Sequence, residues 1–182
     1  MKRRAAIKNL LTIAGGITLL PACLNEPGKA SVALNKLDIS SIDEALLAEI
    51  AATIIPKTDT PGAKEVGSHL FVLTMVDDCY EKEEQDQFVQ GLQALGKHTK
   101  KQFGKSFVDC TPAERQQVLQ SIEDKADFPP EVFAFYKIMK EKTIQGYMTS
   151  RYVVMDVLKY EMVPSVAYNG YHPVKSVESN GR

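Results

Sequence analysis

The residue types best suited to chemistry lie on one predicted helix. Glu65 and His69 are four residues apart, so on a helix their side chains share a face, which is a spacing found in metal sites. A third candidate ligand, Asp77, lies two turns further along the chain. Because two ligands rarely form a site, we expect no metal here. A helical enzyme or metal protein built around these three residues is nevertheless one hypothesis.

The other titratable candidates have simpler structural interpretations. Asp77 and Asp78 could act as a general acid or base, but that chemistry requires a third group and a cleft. Helix termination or an ion pair is the expected role of this pair. His98 lies among three lysines and is predicted to be a solvated surface group, whereas His172 belongs to the C-terminal tail.

The sequence predicts no cofactor in this chain. No glycine-rich fingerprint follows a predicted strand, so a dinucleotide-binding fold for FAD or NAD is not expected. A Cys-x-x-Cys-His motif for covalent haem is also missing. Cys79 and Cys110 could form a disulfide in an oxidising compartment, and the alternative is two buried free thiols.

The first 22 residues are predicted to be an export signal. They consist of a basic start, the apolar run Leu10–Leu20 and a small-residue processing site. Arg3 and Arg4, followed by Ile7 and Lys8, resemble a twin-arginine signal, although Ala6 replaces the usual aromatic residue. This route carries folded proteins across the membrane. We therefore expect the twin-arginine translocase as a partner and the periplasm or cell envelope as the location.

A lipid anchor is predicted at the end of this signal. Leu20-Pro21-Ala22-Cys23 resembles a lipoprotein processing box, and acylation of Cys23 would attach the chain stably to the membrane. An ordinary cleavage site with a chance cysteine nearby is the alternative. Residues 23–39, which include Pro27 and Gly28, are interpreted as a tether.

The charge balance argues against nucleic-acid binding. Residues 1–22 contain four basic and no acidic residues, so removing them changes the formal net charge from -1 to -5. A nucleic-acid-binding domain would instead show a basic surface.

Residues 40–182 are predicted to form one all-α domain with an irregular tail from Ser165. Helical spacing of apolar residues continues from Ser40 onward without useful period-two alternation. Thr111, Pro112 and Glu114 have the form of a capping box, which is the clearest helix start in the chain. The second helix is apolar on nearly every side and is expected to be central. The six predicted helices span Ser41–Ile55, Ala63–Tyr80, Glu83–Phe103, Pro112–Lys125, Glu131–Tyr147 and Ser150–Met162.

Two sequence blocks resemble the gluconate 2-dehydrogenase subunit 3 family. The first runs from Leu47 to Ala63 and contains the turn Ile-Ile-Pro-Lys-Thr-Asp-Thr-Pro-Gly-Ala. The second contains Gly-Tyr-Met-Thr-Ser at 146–150, Leu-Lys-Tyr at 158–160 and Tyr-Asn-Gly-Tyr-His-Pro-Val at 168–174. With the leader, the resemblance covers most of the chain.

The resemblance implies a non-catalytic small subunit of a sugar or sugar-acid dehydrogenase. Its partner would be a large flavoprotein of the glucose-methanol-choline type, which holds FAD and substrate, often with a multihaem cytochrome c as a third component. The small subunit would carry the export signal and support maturation of the large one. A stand-alone helical lipoprotein that binds a small ligand is the alternative.

Partner contacts are predicted at a rigid turn and at several aromatic residues. A rigid turn loses little entropy on docking, and amphipathic rings are common interface anchors. A turn needed only for the fold, and rings needed only for the core, are the alternatives. The candidates are Pro56, Pro61, Gly62, Tyr147, Tyr168, Tyr171 and His172.

Overall fold

The computed structural model describes residues 28–124 and 128–160, and within them the chain forms a bundle of α-helices. The α-helices are α1 (Ser41–Ile54), α2 (Ser68–Cys79), α3 (Lys82–Phe103), α4 (Pro112–Glu123) and α5 (Pro130–Met148). A 3-10 helix, Phe107–Asp109, precedes α4, and a π-helix, Tyr152–Val157, follows α5. The predicted all-α fold is confirmed. No helix of the described ranges combines the length and hydrophobicity needed to cross a membrane.

The predicted start of α4 is confirmed in atomic detail. Glu114 Oε2 accepts a hydrogen bond from the Thr111 backbone N–H at 2.7 Å, and Thr111 Oγ1 accepts one from the Glu114 N–H at 3.4 Å. Lys105 Nζ lies 2.8 Å from the same carboxylate. Its hydrogen bond, together with those from Thr111, lowers the pKa of Glu114 to about 2. Local sequence therefore determines where this helix begins.

The core is organised around α5, which contacts each of α1, α2, α3 and α4. The closest approach is to α3, where a Cβ added to Gly91 would lie 2.3 Å from the Glu131 carbonyl oxygen. Next to it, the rings of Phe88 and Phe135 are fully buried with centroids 4.9 Å apart. The expectation that the second helix is central was therefore wrong. Helix α5 is central because glycine lets α3 pack directly against its backbone.

Helix α2 begins five residues later than predicted. Residues 63–67 form hydrogen-bonded turns, and Gly67 then adopts a left-handed conformation with φ of 74°. This conformation cannot continue an α-helix, so α2 starts at Ser68.

The predicted sixth helix, Ser150–Met162, is replaced by the π-helix where the structure describes it. The Leu158 N–H bonds to the Val153 carbonyl at 2.9 Å, which gives a wider turn than an α-helix. Val153 is the buried residue of this segment, and Val157 and Leu158 are exposed. The segment is therefore buried at Val153, half-buried at Tyr152 and Val154, and exposed beyond them.

The N-terminal loop differs from the tether that was predicted over 23–39. Its described part, residues 28–39, is closed at its ends by a hydrogen bond of 3.0 Å from the Ser41 N–H to the Gly28 carbonyl. Leu37 and Ile39 are 8% and 3% exposed, so the loop contributes to the core. A tether would not bury these side chains.

Asp77 holds the middle of this loop. Its carboxylate accepts three backbone N–H hydrogen bonds, from Asn35 at 2.8 Å and from Lys36 and Leu37 at 2.7 Å each. Burial raises the pKa of this 2% exposed residue, but the three donors outweigh that effect and bring the pKa below its ordinary value. The prediction that Asp77 ends the helix or forms an ion pair was therefore wrong. Asp77 is a buried acceptor for the loop backbone.

His98 also differs from its predicted solvated state. Its ring packs on Phe128, with centroids 4.1 Å apart and an angle of 37° between the planes. The sequence signal was misleading because the neighbouring lysines point to solvent, whereas His98 is half-buried.

We predict that Asp77→Ala lowers the free energy of unfolding by about 3 kcal/mol, because three backbone N–H groups, that of Leu37 buried and those of Asn35 and Lys36 partly buried, lose a charged acceptor. Chemical denaturation at neutral pH measures the effect. Since the pKa is lower in the folded state, the difference between wild type and variant should shrink as pH falls below the ordinary value of 3.8.

The neighbouring exposed residue provides the matched control. Asp78→Ala should change the free energy of unfolding by less than about 0.5 kcal/mol. Equal effects of the two substitutions would contradict the role assigned to Asp77.

Candidate interaction surface

The turn between α1 and α2 is exposed yet held by backbone hydrogen bonds. Residues 56–60 are exposed, and Pro61 is half-buried. The Ala63 N–H bonds to the Ile55 carbonyl at 2.9 Å, and the Thr58 N–H bonds to the Thr60 carbonyl at 3.0 Å. These bonds close the turn, so its exposed residues have a defined conformation.

Gly62 is required by the close approach of the backbone inside this turn. A Cβ at Gly62 would lie 2.6 Å from the Lys57 nitrogen and 2.7 Å from the Ile55 carbonyl oxygen. The Gly62 N–H donates to Glu65 Oε2 at 3.0 Å. Gly62 is itself buried. Its role is to shape the turn, and it cannot itself offer a contact surface.

Tyr147 joins this turn to the end of α5. Its hydroxyl donates to the Pro61 carbonyl at 3.0 Å across 86 residues of sequence. Next to it, Gly146 lies against Phe71, whose ring and Cβ would be within 3.0 Å of an added Cβ. The two most specific sequence motifs, the Pro-rich turn and Gly-Tyr-Met-Thr-Ser, therefore meet in space.

A partly buried ion cluster centred on Glu49 of α1 holds Lys64, which follows the turn. The Glu49 carboxylate pairs with both Lys64 and Arg115, and its side chain is 14% exposed. Burial raises the pKa of Glu49, but the two cations outweigh it and lower the pKa. Arg115 also donates to the carbonyls of Phe107 and Val108, at 3.0 and 2.5 Å. The cluster connects the turn, α1, α4 and the 3-10 helix.

A group of exposed apolar side chains lies close to Tyr147 in the sequence, mostly after it. Within the described ranges seven large apolar residues are exposed, and six of them lie between residues 144 and 160. Exposed apolar groups at this density are typical of binding sites. We call this group the apolar face, and it consists of Ile144, Met148, Met155, Val157, Leu158 and Tyr160.

Sequence reasoning missed most of the apolar face. Met155, Val157 and Leu158 were expected to belong to the α-helix Ser150–Met162, whereas they lie exposed in the π-helix and at its end. No signal in the sequence marked these residues as exposed, because apolar spacing shows which side chains could be buried and not which ones are.

Several predicted site residues lie outside the described ranges. They are the signal residues Arg3 and Arg4, the lipidation candidate Cys23, and the contact candidates Tyr168, Tyr171 and His172. Their roles stay predictions.

The residues of the metal hypothesis have separate roles. Glu65 accepts from the turn, and Asp77 accepts from the N-terminal loop. His69 is buried, its Nδ1 has no hydrogen-bond partner among the described residues, and burial lowers its pKa. The part of the chain that the structure describes contains no group of three or more potential ligands arranged for a metal ion.

Cys79 and Cys110 are both free thiols in the structure. Cys110 is buried, and burial raises the pKa of its thiol. Cys79 is exposed at the end of α2, so the alternative of two buried thiols holds for Cys110 alone.

Comparison with known proteins gives one match. The family model for gluconate 2-dehydrogenase subunit 3 matches residues 42–164, which is more than half of the chain. No curated protein and no solved structure matches.

We predict that Tyr147→Phe lowers the free energy of unfolding by about 1 kcal/mol, because the Pro61 carbonyl loses its donor. Hydrogen exchange should show faster opening of residues 55–63, where the turn bonds lie. Tyr152→Phe is the matched control, since the Tyr152 hydroxyl makes no hydrogen bond within the described residues. Unchanged exchange in the turn would contradict the proposed link.

Proposed function

Because the chain belongs to the gluconate 2-dehydrogenase subunit 3 family, we propose that it is the non-catalytic small subunit of an envelope flavin-dependent dehydrogenase acting on a sugar or sugar acid. The family match over residues 42–164 is the observation that carries this proposal. In the proposed complex, a large subunit of the glucose-methanol-choline type holds FAD and performs the oxidation, and a cytochrome c subunit with haem accepts the electrons.

The large flavoprotein subunit docks on the exposed turn and the apolar face. The turn is closed by its own hydrogen bonds, and Tyr147 ties it to α5 at 3.0 Å. A preformed surface loses little conformational entropy on binding. Met148 and Leu158, which are 55% and 63% exposed, supply apolar area that binding would remove from water. The tail residues Tyr168, Tyr171 and His172 extend this contact.

The second part of the proposal is an escort role. Arg3 and Arg4 would direct the chain to the twin-arginine translocase, which accepts folded cargo. A flavoprotein must bind FAD before export, and one without its own signal could cross the membrane bound to this chain. The same binding would stabilise the large subunit by mass action.

The third part is a membrane anchor. Acylation of Cys23 would hold the complex at the envelope membrane, and two or more acyl chains suffice for stable attachment.

Charge substitutions on the apolar face test the docking surface. We predict that Met148→Asp combined with Leu158→Asp reduces the flavoprotein that co-purifies with the tagged chain at least about tenfold, which corresponds to roughly 1.4 kcal/mol. The reason is that a carboxylate would lose its hydration on docking. Flavin absorbance and mass spectrometry of the purified complex measure the result.

Ile42→Asp is the matched control, because Ile42 is an apolar residue, 77% exposed, in the first turn of α1 and outside the apolar face. It should leave the flavoprotein yield unchanged. Equal losses from both changes, with unfolding midpoints unaltered, would contradict docking at the apolar face. A chain that purifies from its host without any flavoprotein would contradict the subunit role itself.

The escort role makes a separate prediction. Replacing Arg3 and Arg4 by Lys should leave both this chain and the flavoprotein in the cytoplasm, because the translocase recognises the arginine pair. Fractionation of the native host, with flavin absorbance in each fraction, measures it. If the flavoprotein still reaches the envelope while this chain does not, the escort role is wrong and the docking proposal is unaffected.

A further inference from the structure

The described part of the N-terminal loop begins at the end of the bundle where α1 starts. Gly28 is joined to Ser41 by the hydrogen bond of 3.0 Å, and Lys29 pairs with Ser40 in an antiparallel bridge. Ser40 caps the N-terminus of α1 through its hydrogen bonds with Asp43. The point at which the described chain begins is therefore fixed beside the first turn of α1.

This position limits how far the bundle can lie from a lipid on Cys23. Five peptide units connect Cys23 to Gly28, and in any conformation they span at most about 18 Å. The loop that follows cannot add reach, because Asp77 and the core hold it against the bundle. The end of the molecule that carries the first turn of α1 must therefore lie near the membrane.

The surface at this end is apolar with a cationic rim. Ile42, in the first turn of α1, is 77% exposed and is the exposed large apolar residue that does not belong to the apolar face. It lines a cleft of about 320 Å³ whose walls are mainly apolar, among them Leu46, Leu92 and Phe107. Lys97 and Lys100 of α3 stand at the same cleft and are exposed.

The two carboxylates of the first turn are held by hydrogen bonds to the loop and the helix cap. Asp43 accepts from the Ser40 hydroxyl at 2.6 Å as part of the helix cap. Glu44 accepts from the Ser31 hydroxyl at 2.6 Å. Both are held by the loop and cap, whereas the ammonium groups of Lys97 and Lys100 end flexible side chains that can reach outward.

We infer that Ile42, Lys97 and Lys100 form the surface that faces the membrane in which Cys23 is anchored, with Ile42 entering the interfacial region and the lysines contacting anionic lipid headgroups. Exposed apolar side chains enter the interfacial region of a bilayer, and lysines near the surface are attracted to anionic headgroups. The inference rests on the proposed lipid anchor and deepens it.

The same geometry places the docking surface away from the lipid. Helix α1 has 14 residues and is about 21 Å long. Its first turn carries Ile42, whereas the turn bound by Tyr147 follows its last residue. The membrane-facing surface and the surface proposed for the flavoprotein therefore lie at opposite ends of α1, so one chain can serve both.

Single-tryptophan variants test this orientation, because the chain contains no tryptophan. The protein is purified from its host as the processed, lipid-bearing form and reconstituted into phosphatidylethanolamine–phosphatidylglycerol vesicles with brominated acyl chains. We expect the bromine atoms to quench Ile42→Trp at least about threefold more than Met148→Trp, because only the former enters the interface. Adding Lys97→Gln and Lys100→Gln to Ile42→Trp should reduce quenching to its level in phosphatidylcholine vesicles.

Equal quenching at the two positions, or stronger quenching of Met148→Trp, would overturn the inference. Quenching of Ile42→Trp that disappears when the flavoprotein is added would also overturn it, because that surface would then belong to the protein partner. Intact mass measures acylation separately: an unacylated, unquenched protein overturns the anchor and this inference together. Flavoprotein co-purification with the same samples shows whether the subunit role stands.

Discussion

The buried carboxylate of Asp77 is the interaction on which this architecture depends. A carboxylate taken out of water is costly unless its lone pairs are occupied, and here three consecutive backbone N–H groups occupy them. The same helix end is held from α3 by Gln85, whose buried amide lies 3.0 to 3.1 Å from the carbonyls of Val76, Asp77 and Tyr80. One site therefore joins the N-terminal loop, α2 and α3. It holds the middle of the loop, while the Gly28–Ser41 hydrogen bond closes its ends and Leu37 and Ile39 pack into the core.

The fixed loop has a consequence for the whole molecule. Because Gly28 is held at Ser41, the chain leaves the bundle at the first turn of α1, while the Pro-rich turn leaves its other end. The length of helix α1 thus separates the N-terminal loop at Gly28 from the Pro-rich turn. A rigid spacer of this kind suits a chain proposed to connect a lipid anchor with a partner, since neither contact then obstructs the other.

The turn after α1 shows how rigidity is produced without regular structure. Gly62 allows the backbone to approach itself, Tyr147 holds Pro61 from α5, and the Glu49 cluster holds Lys64 from α1. Each contact removes freedom from the turn before any partner arrives, so that binding costs less entropy. The segment 55–63 and the segment 146–150 are therefore joined although 82 residues lie between them.

The sequence by itself determined the features that depend on neighbouring residues. Helical periodicity predicted the all-α fold, the Thr111 and Glu114 pair predicted the start of α4, and the two motifs predicted the family. Tertiary structure alone decided the remaining features, because their partners are distant in the chain. Asp77 binds backbone groups about 40 positions away, and Tyr147 binds Pro61 at a separation of 86 positions. The segment that contains the buried Val153 forms a π-helix where the local pattern predicted an α-helix. A periodicity reports which side chains could be buried, whereas only the packed chain determines which backbone groups a carboxylate or a hydroxyl reaches.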